Sequence, residues 1–227
     1  MLTHDHPAPA ALIFSCDWTS HHFQDWRNWF SPLVGRPAIG CEIGSFEGRS
    51  ALFFLQEILT HPESRLICID PWDYTEENCV LNGQLGTWVS KQFDLPEVAQ
   101  RFRQNLKLSG QAERALVYPH SSRRILPTLQ PNLLDFVYID GSHLAARALE
   151  DAVLAWPALK TGGVLVWDDY HWAEHPAPPA GWKPEAMRPK LGVDAFLAAY
   201  DGQYDELVIT GSQCKIRKTV YTATTKL

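Results

Sequence analysis

Short apolar runs and helically spaced apolar positions alternate along most of this chain. Five runs read as buried strands: AIGCEI (38–43), RLICI (65–69), RALVY (114–118), LDFVYI (134–139) and GVLVW (163–167). Between them, segments near 48–60, 91–108 and 143–157 carry apolar residues at the spacing of an amphipathic helix. A shorter helix is predicted from Ser121–Ser122 to Leu129. Upstream, Phe23, Trp26, Phe30 and Leu33 place another between Ser20 and Val34, and a last one covers about 191–200. The chain then reads ELVIT, GSQ, CKIRK, the strand–turn–strand pattern of a β-hairpin. Such alternation predicts a doubly wound, mostly parallel α/β sheet with helices on both faces, and the hairpin adds an antiparallel strand. Residues 1–35 read as a lead-in and helix, and 36–227 as one domain.

Composition narrows the function classes. Apolar residues make up 45% and charged residues 20%, ordinary values for a globular protein. The 26 acidic against 20 basic side chains leave a net charge of −6. No basic tract interleaves with aromatics, so nucleic acid is not an expected partner. No apolar run approaches the roughly 20 residues that span a bilayer, and MLTHDHPAPA lacks the features of a secretory leader. Five cysteines without a CxxC, two of them (Cys41 and Cys68) inside core-like strands, point to a reducing cytoplasm.

Consecutive parallel strands deliver their carboxyl ends to one edge, where ligands bind. Asp140 ends one predicted strand, and Asp168 and Asp169 end the next. Three carboxylates gathered there repel one another unless a cation or basic ligand sits among them. At the other end of the edge, Glu42-Ile43-Gly44-Ser45-Phe46-Glu47-Gly48-Arg49-Ser50 turns the first strand into its helix. Gly44 suits the tight turn and Gly48 a close backbone approach. Asp70, at the tip of the second strand, is placed to accept ribose hydroxyls. The turn is GxxxG, without the middle glycine of a dinucleotide site.

With CEIGSFEGRSA, ICIDPW, VYIDGSH, LKTGGVLVWDDY and the hairpin ending QCKIRK in this order, the chain resembles the class I S-adenosylmethionine-dependent methyltransferases, in particular the macrocin-type O-methyltransferases. The resemblance covers about 38–218. It implies a Rossmann-like seven-stranded sheet with a reversed last strand. It also implies that Glu42, Gly44 and Ser45 lie along the methionine part of S-adenosyl-L-methionine. Phe46, Gly48 and Ser50 belong to the same cofactor turn, Asp70 meets the ribose, and Ser121 and Ser122 border the adenine. Trp72 either flanks the nucleoside or packs in the core.

Metal-dependent relatives, the catechol-type enzymes included, carry an Asp at the first tip and Asp–Asp or Asp–Asn at the second. Residue by residue, this implies Mg²⁺ on Asp140, Asp168 and Asp169. Where the catechol-type pattern has a lysine base three residues after the first Asp, this chain has His143, and where macrocin-type relatives often have a further Asp it has Ser142. An imidazole is a workable base at neutral pH. The alternative is that His143 opens a helix capped by Ser142. Asp140 is expected to touch both metal and cofactor. His171 and His175 read as loop residues or accessory ligands; His4, His6, His21 and His22 read as solvated and far from the edge.

The expected reaction is O-methylation of a small molecule, a sugar or secondary metabolite. Irregular segments 73–90 and 171–190, with Tyr74, Trp88, Trp172 and Trp182, are expected to cover an apolar acceptor. The 20–34 helix either roofs that pocket or builds a homo-oligomer contact. Metal-free N- or carboxyl-methylation, a metal-dependent hydrolase and a non-catalytic cofactor-binding protein are the competing readings; a nicotinamide dehydrogenase fits the GxxxG turn poorly.

Overall fold

A computed structural model describes residues 11–73, 80–81, 84–85, 92–173, 181 and 183–220. Its centre is a seven-stranded sheet. In chain order the strands are β1 (Ile39–Ile43), β2 (Arg65–Ile69), β3 (Ala115–Tyr118), β4 (Leu134–Ile139), β5 (Leu159–Trp167), β6 (Tyr204–Thr210) and β7 (Gln213–Lys218). In space they run β3-β2-β1-β4-β5-β7-β6. The first five are mutually parallel, and β7 is antiparallel to both β5 and β6. The mostly parallel sheet with a reversed last strand is as expected.

Alternation along β4 shows why the sheet needs helices on both sides. Phe136 and Tyr138 enter one core with Trp26, Phe30, Phe54 and Phe102. Val137 and Ile139 enter the other with Trp156, Leu165, Trp167 and Phe196. A strand buried on both faces cannot be polar at alternate positions. The first core takes α1 (Phe23–Phe30), α2 (Arg49–Phe53) and α3 (Leu95–Leu108). The second takes α5 (Ala145–Ala155) and α6 (Pro189–Ala199), while α4 (Ser122–Ile125) starts beside the tip of β3.

Several boundaries differ from the periodicity. The helix expected over 48–60 is α2 followed by a π-helical turn, Phe54–Ile58. The Gly-Gly segment before the fifth strand lies inside β5: Leu134 pairs with Leu159 and Phe136 with Val164, so the intervening residues bulge out of register. Helix α5 begins at Ala145 with Leu144 as its N-cap, so Ser142 does not cap it.

The aromatic face of the N-terminal helix turns into the core. Trp26 and Phe30 are fully buried, and Trp26 Nε1 donates to Gln213 Oε1 at 2.8 Å, tying α1 to β7. Most of 73–90 and of 174–182, with Tyr74, Cys79, Trp88, His175 and Trp182, lies outside the described residues, as do His4 and His6. No helix among the described residues is long and apolar enough to cross a membrane.

Candidate active site

Each parallel strand is bonded one step past its end. Asp70 N donates to Tyr118 O, Gly44 N to Ile69 O, Asp140 N to Ile43 O and Asp168 N to Ile139 O, all within 3.2 Å. The ladder therefore sets Asp70, Gly44, Asp140 and Asp168 in one row along the carboxyl edge. A cavity of about 800 Å³ opens over that row.

Gly44 is the tightest point. Its φ is 87°, and a Cβ there would stand 1.9 Å from the Asp140 carbonyl oxygen. Gly44 lies where the tips of β1 and β4 come together. Gly48 (φ 85°) serves as the left-handed N-cap of α2 and lies against Phe102.

Among the residues expected to hold cofactor, Gly44, Phe46, Asp70, Trp72, Ser121, Ser122 and Asp140 line the cavity. Glu42, Ser45, Gly48 and Ser50 stand behind its wall. Glu42 is fully buried; one oxygen accepts from Ser50 Oγ at 2.5 Å, while Oε2 and the adjacent Ser45 Oγ make no hydrogen bond of good geometry. Burial pushes its pKa up to about 7, against the lowering effect of the serine hydroxyls. Asp70 accepts Phe46 N and Trp72 N, each at 2.9 Å. Burial raises it to about 6 although these amides favour its charge. A carboxylate has about four acceptor positions, so with the Ser45 amide also directed at it at least one remains for a ligand. Trp72 lines the cavity and also packs inward, its ring on Phe102 and its Nε1 donating to Phe46 O.

At the other end, Asp140, His143 and Asp169 each offer a ligand atom within 4.8 Å of the others. His143 Nε2 is 2.9 Å from Asp169 Oδ2, and the imidazole packs against Trp172. Asp169 has φ 56°, an uncommon strain for a non-glycine residue and one that clusters at functional sites. Burial first, then repulsion from Asp168 and Asp169, raises the Asp140 pKa well above the carboxylate range.

Asp168 belongs to a different set of contacts. It is buried and accepts from the Tyr138 hydroxyl, from Ser212 Oγ at 3.2 Å and from Asp169 N at 2.8 Å. His22 Nε2 lies 3.6 Å away. Its lone pairs are thus largely engaged, and the group of three in reach of one ion contains His143 in its place.

His22 departs from the solvated position that the sequence suggests. It is 4% exposed, lines the cavity, and its pKa is lowered by burial against the pull of Asp168. His21 is exposed but also borders the cavity, with Asp17 and Trp18. This stretch is held down through Glu47, which accepts Ser15 N and Ser15 Oγ and pairs with Arg101. Asp151 and Ser212 line the cavity too and carried no motif signal. Arg123, which pairs with Glu150, and the exposed His171 also line the cavity.

A family described as "Methyltransferase domain" matches residues 41–170. No curated protein matches the sequence significantly. Among solved structures, a putative O-methyltransferase from Klebsiella pneumoniae superposes with TM-score 0.63 at 13% identity, covering 91% of this chain and 84% of that one. The O-methyltransferase from Bacillus cereus, in complex with SAH, gives 0.60 at 14%, covering 90% and 84%. MycE methyltransferase from the mycinamycin biosynthetic pathway, in complex with Mg, SAH and mycinamycin VI, gives 0.57 at 16%, covering 92% of this chain and 52% of its own. The chain belongs to the methyltransferase-domain family and has the Rossmann-like fold of the S-adenosylmethionine-dependent methyltransferases.

Proposed function

We propose that the protein transfers the methyl group of S-adenosyl-L-methionine to a hydroxyl of a small molecule. One observation carries this reading: a single cavity has a nucleoside-type carboxylate, Asp70, at one end and a His143–Asp169 pair beside Asp140 at the other. Bound with its ribose on Asp70, the cofactor would direct its sulfonium toward Gly44 and Asp140. Trp18, Phe46, Trp72 and Trp172 give the cavity apolar walls suited to a ring-bearing acceptor.

The transfer is an in-line displacement. The acceptor oxygen bonds to the methyl carbon, and the carbon–sulfur pair leaves with sulfur as S-adenosylhomocysteine. The hydroxyl proton must go to a base held close to it. His143 is that base. Its contact with Asp169 assigns the Nε2 proton to the carboxylate, which leaves Nδ1 free to accept. Trp172 restricts the ring from one side.

A second reading adds a divalent cation, Mg²⁺ first, as found with MycE. Asp140 and Asp169 with His143 fit such an ion, because two carboxylates and an imidazole lie within 4.8 Å; Asp168 would support them from behind. When bound, the ion would lower the hydroxyl's pKa.

The test is incubation with methyl-labelled S-adenosylmethionine and a panel of phenols and sugar alcohols. Labelled O-methyl product with matching S-adenosylhomocysteine supports the proposal. Failure of the protein to bind S-adenosylhomocysteine at all would end it.

A further inference from the structure

Asp169 stands in the left-handed region, at φ 56°, where any residue but glycine is strained and must be held by its surroundings. Two bonds bracket it. Its own amide donates to Asp168 Oδ1 at 2.8 Å, and the next amide, Tyr170 N, donates to Ser212 O at 2.6 Å. Ser212, in the turn between β6 and β7, also donates its hydroxyl to Asp168 Oδ1, at 3.2 Å. Backbone and side chain of this one serine thus grip the residues on either side of Asp169.

A serine hydroxyl has one proton. Given to Asp168, it leaves Oγ to accept, and His22 Nε2 lies 3.3 Å from it. A line of bonds therefore runs from His22 to Ser212, to Asp168 Oδ1 and to the Asp169 amide. On the other carboxylate oxygen the buried Tyr138 hydroxyl holds Asp168 against rotation. Past Asp169 the line ends at His143, 2.9 Å from Oδ2. We propose that Ser212 and Tyr138 are positioning residues: by fixing Asp168 they keep Asp169 in its left-handed conformation, and so aim His143 at the acceptor. The clamp on Asp169 is independent of the reaction, while its effect on turnover rests on the base assigned above.

Hydrogen exchange followed by NMR on the ligand-free protein reads the clamp directly. In Ser212→Ala the Asp169 amide should exchange about tenfold faster or more, well beyond any change at Leu165 and Val166 of β5. The ring nitrogen shifts of His143 should move as well, although Ser212 does not touch it, and Ser212→Thr should restore both signals. Tyr138→Phe should act in the same way and serves if Ser212→Ala does not fold. Equal acceleration at all three amides means general loosening and overturns the proposal, as do unmoved His143 shifts. With an acceptor found by the labelling panel, Ser212→Ala should lower kcat about tenfold while S-adenosylhomocysteine affinity changes less than about twofold. Unchanged kcat with Asp169 released overturns the positioning role. If His143→Ala is equally silent, the base falls with it; if His143→Ala is slow, the base stands without the clamp. Should the panel yield no acceptor, the exchange rates and the His143 shifts decide.

Discussion

His143 Nε2 lies 2.9 Å from Asp169 Oδ2, across the gap between two adjacent strand tips. The pair joins a histidine of the β4–α5 loop, at the position where the catechol-type pattern has a lysine, to a carboxylate held at φ 56°. It resembles the base–orienter arrangement of hydrolytic triads, in which the carboxylate fixes tautomer and direction.

If the imidazole takes the acceptor's proton, His143→Ala should lower turnover about 10²-fold or more. Affinity for S-adenosylhomocysteine should change less than about twofold, because a part-exposed hydrogen-bonded pair at the far end of the cavity contributes little. Initial rates and calorimetry check both halves. Unaltered turnover would remove His143 from the reaction.

Chelation separates the two forms of the proposal. With the ion essential, EDTA abolishes turnover, Mg²⁺ restores it, and Asp140→Asn weakens ion binding by about 10-fold or more. Without it, activity survives EDTA and depends on His143 alone. Calorimetric titration of Mg²⁺ into the wild-type protein gives a readout independent of activity.

Gly44→Ala should be severe. The new methyl would overlap the Asp140 carbonyl, 1.9 Å away, at a φ of 87° that alanine rarely adopts. Moving the backbones apart breaks the β1–β4 ladder at the cavity floor, a loss of about 3 kcal/mol or more. Urea unfolding measures it; a midpoint shift below that of Gly35→Ala, where nothing lies within 4 Å, would contradict the geometry.

The buried acids set a pH dependence of definite sign. Glu42, raised to about 7 by burial, binds its proton more tightly folded than unfolded. Its contribution to stability is complete below about pH 4 and is lost as pH rises through 7. Asp70 and Asp151, raised to about 6 and about 7 by burial, act in the same direction. His22, lowered by burial, opposes them as pH falls. Glu42→Gln should therefore flatten the ligand-free protein's stability loss between pH 5 and 8 by on the order of 2 kcal/mol. Urea midpoints for both proteins across that range are the measurement; parallel curves would contradict it.

Strand identity was legible in the chain because β1, β2, β4 and β5 are short apolar runs closed by Gly44, Asp70, Asp140 and Asp168. Parallel hydrogen bonding then forces those closing residues into one row, whatever the loops do. The aromatic positions of α1 were legible as a helix face for the same reason, a local period. Side-chain partners were not, because they depend on where chain segments far apart in sequence come to rest. His22 and Ser212, 190 positions apart, meet at Asp168 and occupy it, which nothing in the DDY motif indicates. Asp151 looks like one more polar position on an amphipathic helix until Ser122 closes on it. Local sequence thus determined the elements and the edge that would carry the site. Packing of α1, α5 and the β6–β7 turn against that edge decided which carboxylates stay available, since burial and hydrogen bonding act only between groups the fold has brought together.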